Sequence, residues 1–242
     1  MFKLRNIEPL RAVASLFYPS LCAVCSSPVD DSRYLCAACS ERVSRIEPPF
    51  CATCSEPFRG AITEAFACAN CAHRTLHFES AVSAFRSRGV VRKIVHEFKY
   101  GKQAHLKYPV AEWLAEALVD PRLEGRRFDA LVPVPLHPTR QRERGFNQAE
   151  LLTEVLSRRS GIPMQTSLQR VRYTTTQTAF DRTERMENLH NAFRLRKNAD
   201  VQGLRVLLID DILTTGSTLS ECARVLKAGG ALSVHAATAA RA

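Results

Sequence analysis

The 242-residue sequence is poor in long apolar runs, and none approaches the roughly 18 uncharged residues that a membrane-spanning helix needs. It has neither the GxGxxG pattern of dinucleotide-binding folds nor the GxxxxGK-Ser/Thr loop of P-loop proteins, so both of those nucleotide-binding readings fall away. Aromatic residues make up only 7% of the chain, with a single tryptophan, Trp113, and few lie near the basic segments. A stacking series of the kind that holds single-stranded nucleic acid is therefore missing. A secretory leader is not legible either. Lys3 and Arg5 precede apolar residues, but Glu8, Pro9 and Arg11 interrupt them, and Ala12 to Tyr18 is followed by no convincing cleavage site. Leu4, Ile7, Leu10, Ala14 and Phe17 recur instead at helical spacing, so an amphipathic helix is expected over residues 1–20 and the chain is read as cytoplasmic.

What the sequence does contain is a normal globular balance, 45% apolar and 24% charged, with an unusual cysteine pattern. Eight of the nine cysteines form four Cys-x-x-Cys pairs: Cys22/Cys25, Cys36/Cys39, Cys51/Cys54 and Cys68/Cys71. Two thiolates on one tight turn can grip a metal from the same side, and a second such knuckle completes a tetrahedral four-cysteine site. Disulfides would require an oxidising compartment, and a redox Cys-x-x-Cys comes singly rather than four in a row. Two structural Zn2+ ions are thus expected over residues 21–75, with sequential pairing the simpler arrangement. All-sulfur ligation fits a structural rather than a catalytic metal. His73 and His77 are surplus to the ligand set, and Cys222 reads as a buried small hydrophobe. The module is short of large apolar residues, so the metals must supply its folding energy. Whether it docks a partner or braces the main domain is open.

The formal charge of +10 falls to about +6 once eight zinc-bound thiolates are counted. The positive charge gathers in Arg86 to Lys107, Arg140 to Arg144 and Arg158 to Arg196, a distribution suited to phosphates on a small substrate or along a nucleic acid.

Beyond the cysteines the pattern alternates. Gly89 to Tyr100 sets Val90, Val91, Ile94, Val95 and Phe98 on one helical face, and Val110 to Val119 forms a second amphipathic helix. Phe128 to Pro135 reads as a short strand, Leu136 to Gly145 as a basic loop, and Asn147 to Arg159 as a helix ended by Gly161-Ile162-Pro163. Arg170 to Arg185 has no clean period and reads as a functional loop. Leu204 to Ile209 is almost wholly apolar, as in a strand buried on both faces of a parallel sheet. A helix from Ser217 to Lys227 and a strand from Ala231 to Thr238 complete a βαβ unit. The fold class is α/β, a parallel sheet flanked by helices over residues 80–242, with the small cysteine module before it.

In open α/β sheets ligands sit beyond the carboxyl ends of strands. Val206 to Asp211 brings two adjacent carboxylates, Asp210 and Asp211, to that edge. Thr214, Thr215, Gly216, Ser217 and Thr218 then open a helix. Backbone N–H groups and hydroxyls at a helix N-terminus cradle an anion, and carboxylates accept from sugar hydroxyls. Acids followed at once by such a cradle suit a ribose 5-phosphate; a helix cap alone would account for one hydroxyl residue, not four.

This segment resembles the signature of type I phosphoribosyltransferases, which use 5-phosphoribosyl 1-diphosphate (PRPP). Together with the cysteine pairs, Phe98-Lys99-Tyr100-Gly101, Pro133-Val134-Pro135-Leu136-His137, Arg144-Gly145-Phe146-Asn147-Gln148-Ala149, Thr174 with Gln177, and Arg185 with Asn188, it is similar over nearly the whole chain to the ComF family of competence-associated phosphoribosyltransferase-like proteins. The resemblance implies a type I phosphoribosyltransferase domain behind a double zinc ribbon. It implies PRPP binding by Asp210, Asp211, Thr214, Thr215, Gly216, Ser217, Thr218, Pro135, Leu136, His137, Arg140 and Lys99. Asp210, Asp211, Arg144 and Arg185 take the catalytic positions. Arg140, Arg142 and Arg144 would neutralise the diphosphate, Mg2+ would bridge the diphosphate and the ribose hydroxyls, and Arg170 to Arg185 would form a closing hood. Enzymes of this class that act on 6-oxopurines carry an aspartate where Thr214 stands, so hypoxanthine or guanine salvage is not implied. The acceptor is open, as is a homo-oligomeric state.

Two functions follow as expectations: pentosyl transfer from PRPP to an unknown acceptor, in a cellular setting of DNA uptake and transformation, or a non-catalytic PRPP-sensing accessory protein that binds single-stranded DNA. A purely structural zinc adaptor would leave the acid–hydroxyl segment without a use.

Overall fold

The computed structural model describes residues 20–30, 33–58, 60, 66–174 and 189–242. The helix expected over 1–20, Gln177 and Arg185 of the expected hood, and Asn188 lie outside the described residues.

Four strands form a parallel sheet: β1 (Ala81–Arg86), β2 (Ala130–Pro133), β5 (Arg205–Leu213) and β6 (Ser233–Arg241), in the order β1-β6-β5-β2. Side-chain alternation sorts β5 between two cores. Leu207 and Ile209 join one core with Phe85, Ile94, Phe98, Leu114 and Leu152; Val206 and Leu208 join the other with Leu219, Cys222 and Leu226. All four of these β5 residues are fully buried, each worth about 1.5–3 kcal/mol against exposure. This is the double-sided burial that the apolar run at Leu204 to Ile209 predicts.

The flanking helices are α3 (Gly89–Tyr100), α4 (Lys107–Leu118) and α6 (Gln148–Ser160) toward the first core, and α7 (Ser217–Ala228) toward the second. α3 has the expected bounds and buries the expected Val90, Val91, Ile94, Val95 and Phe98. Asn147 caps α6, its side chain accepting from the Ala149 N–H, and Gly161 ends the helix in the left-handed region at φ 73.

Beyond β1, which the sequence reading does not anticipate, two further features differ from it. The basic stretch after Leu136 is a short helix, α5 (Pro138–Arg144), rather than a loop. Pro138 stands in its first turn, the His137 ring accepts from the Thr139 N–H at 3.2 Å, and Gly145 closes it at φ 88. α5 buries no residue, so it carries no apolar period to betray it. A two-stranded antiparallel sheet, β3 (Leu168–Arg170) with β4 (Phe193–Leu195), also stands apart from the main sheet.

The cysteine module repeats itself. In each half a turn knuckle comes first, with Ser26 and Ser55 in the left-handed region at φ 61 and 60, their N–H groups donating to the Cys22 and Cys51 carbonyls. A one-turn helix follows, α1 (Ala37–Ser40) or α2 (Ala69–Ala72), entered from Cys36 or Cys68. The halves pack on opposite cores: Cys22 and Cys39 on the core with Phe85 and Trp113, Cys51, Cys54 and Cys71 on the core with Phe78 and Leu219. The module braces both faces of the sheet.

Candidate functional site

The cysteine groups are sequential: Cys22, Cys25, Cys36 and Cys39 in one, Cys51, Cys54, Cys68 and Cys71 in the other, with all sulfurs of a group within 4.8 Å of one another. The Cys25–Cys36 and Cys54–Cys68 sulfur separations are both 3.6 Å. Four thiolates about 2.3 Å from a tetrahedral Zn2+ stand about 3.8 Å apart, so both sets fit zinc. Neither His73 nor His77 belongs to a group.

At the far end of β5 the strand runs past the acids to Leu213, pairing Asp210 opposite Thr238 and Leu213 opposite Arg241. Asp211 is buried and pairs with Lys99 of α3, Nζ to Oδ1 2.9 Å. Its other oxygen, Oδ2, is buried with no hydrogen-bond partner among the described residues. Asp210 accepts from the Asp211 N–H through Oδ1 at 2.9 Å. Burial, then the adjacent Asp211 charge, push the Asp210 carboxyl up to about 7 against the pull of Lys99. For Lys99, burial works against the charged form, but the two carboxylates outweigh it and hold the ammonium above its ordinary value.

The hydroxyl loop follows directly. Gly216 sits at φ 78 as the N-cap of α7 and supplies no side-chain cap to the helix. Thr215 Oγ1 and Ser217 Oγ are 3.0 Å apart; Thr214 is exposed, Ser217 buried, and Thr215 and Thr218 half-buried. A helix N-terminus opened by glycine presents backbone donors and positive dipole to an anion.

Lys99, Tyr100, Lys102, Arg140, Glu143 and Arg144 line one cleft beside the acids, which joins α3 to α5. Arg144 lies over the Tyr100 ring at 5.1 Å; burial lowers its pKa while the charges of Asp211 and Asp210 oppose that shift. Arg142, expected beside the other two arginines, is exposed and does not line the cleft. Pro135 is buried, and His137 with Arg140 meets Tyr173, the His137 ring edge-on at 5.2 Å and the Arg140 guanidinium 5.6 Å from the ring centre. Tyr173, in the segment expected to form the hood, therefore packs against the start of α5. Arg170, on β3, donates to Thr174 Oγ1 and stands over Phe193 at 5.3 Å, within electrostatic reach of Asp210 and Arg140. Cys222 is fully buried, as expected.

Sequence reasoning missed Tyr100, Tyr173 and, most consequentially, Asn70 and Arg74. Asn70 lies within the second cysteine group and Arg74 just after it, and they reach Thr215 and Ser217 of the hydroxyl loop. Only chain-distant contact reveals them, since 141 to 145 positions separate them from the residues they bond.

Fold and site together define a phosphoribosyltransferase-type domain carrying an N-terminal double zinc ribbon. Residues 13–75 match the double zinc ribbon domain, and residues 144–242 match the phosphoribosyl transferase domain. The chain is 33% identical over 224 residues to the DNA utilization protein YhgH of Salmonella typhimurium, covering 91% of this chain and 96% of that one. It is 32% identical over 198 residues to Competence protein F of Haemophilus influenzae, covering 80% and 84%. With Competence protein ComFC of Bacillus subtilis the identity is 29% over 216 residues, covering 84% and 82%. The chain belongs to the ComF family of competence-associated phosphoribosyltransferase-like proteins. Among solved structures, adenine phosphoribosyltransferase from Thermoanaerobacter pseudethanolicus matches 60% of this chain and 70% of its own, at 21% identity and a TM-score of 0.36. No described helix is long and apolar enough to cross a membrane.

Proposed function

We propose that this chain binds PRPP at the carboxyl edge of β5 and transfers its phosphoribosyl group to an acceptor. The observation that carries the reading is the orphaned, buried Oδ2 of Asp211 beside Asp210. A buried carboxylate oxygen without a donor is costly, and a ligand bearing vicinal hydroxyls satisfies it. Lys99 orients Asp211, and both acids accept from the ribose hydroxyls. The Thr214–Thr218 loop takes the 5-phosphate, while Arg140 and Arg144 face the diphosphate from α5, with Pro135, Leu136 and His137 forming the turn beneath it. Mg2+ would be held with the ligand on the side of the Asp210 and Asp211 carboxylates, whose oxygens suit it, and would supply neutralisation of the leaving group.

In the reaction the C1–O bond breaks and diphosphate leaves with the electron pair. A lone pair of the acceptor forms the new bond to C1, and the acceptor gives up a proton. The positive charge that develops on the ribosyl centre, and the negative charge on the diphosphate, make positioning and electrostatics the main work of the site. The family resemblance assigns Arg185, outside the described residues, to a hood that would exclude water from that centre.

A second reading, a PRPP-sensing accessory protein on single-stranded DNA, draws on two observations. The relatives carry the names DNA utilization protein and competence protein, and exposed Tyr100 and Tyr108 stand beside Arg144 and Lys107, at 5.1 and 5.3 Å. The discriminating experiment is diphosphate release from Mg2+-PRPP over a panel of bases and amines. Release with one acceptor class establishes transfer. No release, with single-stranded DNA binding that weakens steeply with salt, establishes the sensor instead.

A further inference from the structure

We infer that Arg74, aided by Asn70, is a positioning residue for the phosphate loop, so that the second cysteine ribbon is a structural part of the PRPP site. The inference rests on the PRPP reading above and extends that site to a segment outside the phosphoribosyltransferase domain.

Asn70 lies on α2, between Cys68 and Cys71, and Arg74 follows three residues after Cys71. Arg74 Nη1 donates to the Thr215 carbonyl at 3.0 Å and to Asn70 Oδ1 at 2.8 Å, and Nη2 donates to Ser217 Oγ at 3.0 Å. Asn70 Nδ2 donates to the same Thr215 carbonyl at 3.2 Å. Nearby, the His77 N–H donates to Ser220 Oγ at 3.2 Å, one helical turn further along α7. The ribbon thus grips the loop and the first turn of the helix behind it.

The consequences follow from elementary geometry. In a trans peptide the C=O and the following N–H point in opposite directions. Holding the Thr215 carbonyl toward the ribbon therefore turns the Gly216 N–H away from it. Gly216, at φ 78, has no side chain with which to fix that peptide itself, so the orientation must come from outside. The hydroxyl of Ser217, accepting from Arg74, retains its proton to give to Thr215 Oγ1 at 3.0 Å. Thr215 then has its own proton for a ligand oxygen. The guanidinium also adds a fixed positive charge behind a loop built for an anion. Because α2 is a single turn held between two cysteines of one group, its position depends on that group being closed by metal. The first ribbon, on the opposite core, makes no such bond to the loop among the described residues.

The test uses the full zinc-loaded chain. Calorimetric titration with Mg2+-PRPP is compared for wild type, Arg74→Ala, Arg74→Lys and Asn70→Ala, each with zinc content measured. In parallel, hydrogen–deuterium exchange follows the peptide spanning Thr214 to Ser220 without ligand. Arg74→Ala, at unchanged zinc content, is expected to weaken PRPP roughly tenfold or more. Arg74→Lys should recover little of that loss, because a single ammonium cannot span the Thr215 carbonyl and the Ser217 hydroxyl as the planar fork does. Exchange across the loop should rise in Arg74→Ala. Unchanged loop exchange in Arg74→Ala, or PRPP affinity within twofold of wild type, overturns the inference. If wild type itself fails to bind Mg2+-PRPP, the ligand reading falls, and the exchange arm alone then decides whether Arg74 sets the loop.

Discussion

Asp210 and Asp211 are neighbours in sequence with different tasks. Asp211 has a cation, Lys99, at 2.9 Å; Asp210 is left with burial and the Asp211 carboxylate beside it, and its carboxyl is pushed up to about 7. Between the ordinary aspartate value near 4 and that raised value, the folded chain holds a proton that the unfolded chain has released (carboxyl reference about 3.9). Stability therefore falls as pH rises through this window, and above it an ionised Asp210 is a net cost to the fold. Asp210→Asn, which keeps the Oδ1 that accepts from the Asp211 N–H, is expected to raise thermal stability at pH 8 by about 1–2 kcal/mol, with the gain vanishing at pH 4. The same change weakens Mg2+-PRPP at every pH. A stability gain independent of pH would contradict the assignment of that charge. The acids themselves were legible as a motif; the split between them was not, because it depends on Lys99 arriving from a helix more than a hundred residues upstream in the chain.

At the scale of elements, legibility followed the apolar period. α3, with five apolar residues on one face, could be read to its end residues, and the βαβ run of β5, α7 and β6 to within a few positions. α5 has no apolar face, and its start and stop signals, Pro138 and Gly145, were the only marks it left. β1 is short and carries Ser83 where a branched apolar residue would have announced a strand. Its hydroxyl pairs with Thr238 Oγ1 of β6, at 2.6 Å, a contact that exists once the sheet has formed. The turn from β5 into α7 carries its own prediction. A methyl group at Gly216 would meet Phe78 and Leu213 no closer than 3.5 Å, so space is available, but φ 78 penalises any L side chain. Gly216→Ala should cost about 1 kcal/mol in urea unfolding and also weaken PRPP, as the helix N-terminus shifts to relieve the strain. Full stability together with full affinity would show that this turn is not held in the left-handed form.

For the whole molecule, the sequence announced two metal sites and a separate catalytic-type domain but left their relation open. The structure closes that gap: each ribbon packs on a different face of one sheet, and the second reaches the phosphate loop. Nothing local in the cysteine module encodes this, since its few apolar residues could equally have met a partner. Chelation under native conditions should release two zinc ions per chain and lower the melting temperature of the entire protein, not of a detachable module, because cysteines of the first group line one core and those of the second line the other. Fewer than two zinc ions, or an unchanged melting transition after their removal, would argue against this architecture. The account as a whole stands on the acid pair at the end of β5. Its most direct test is calorimetric titration of Mg2+-PRPP into the wild-type chain and into the double variant Asp210→Ala with Asp211→Ala. Saturable one-to-one binding that the double variant loses is the predicted result; equal binding by both proteins would contradict it.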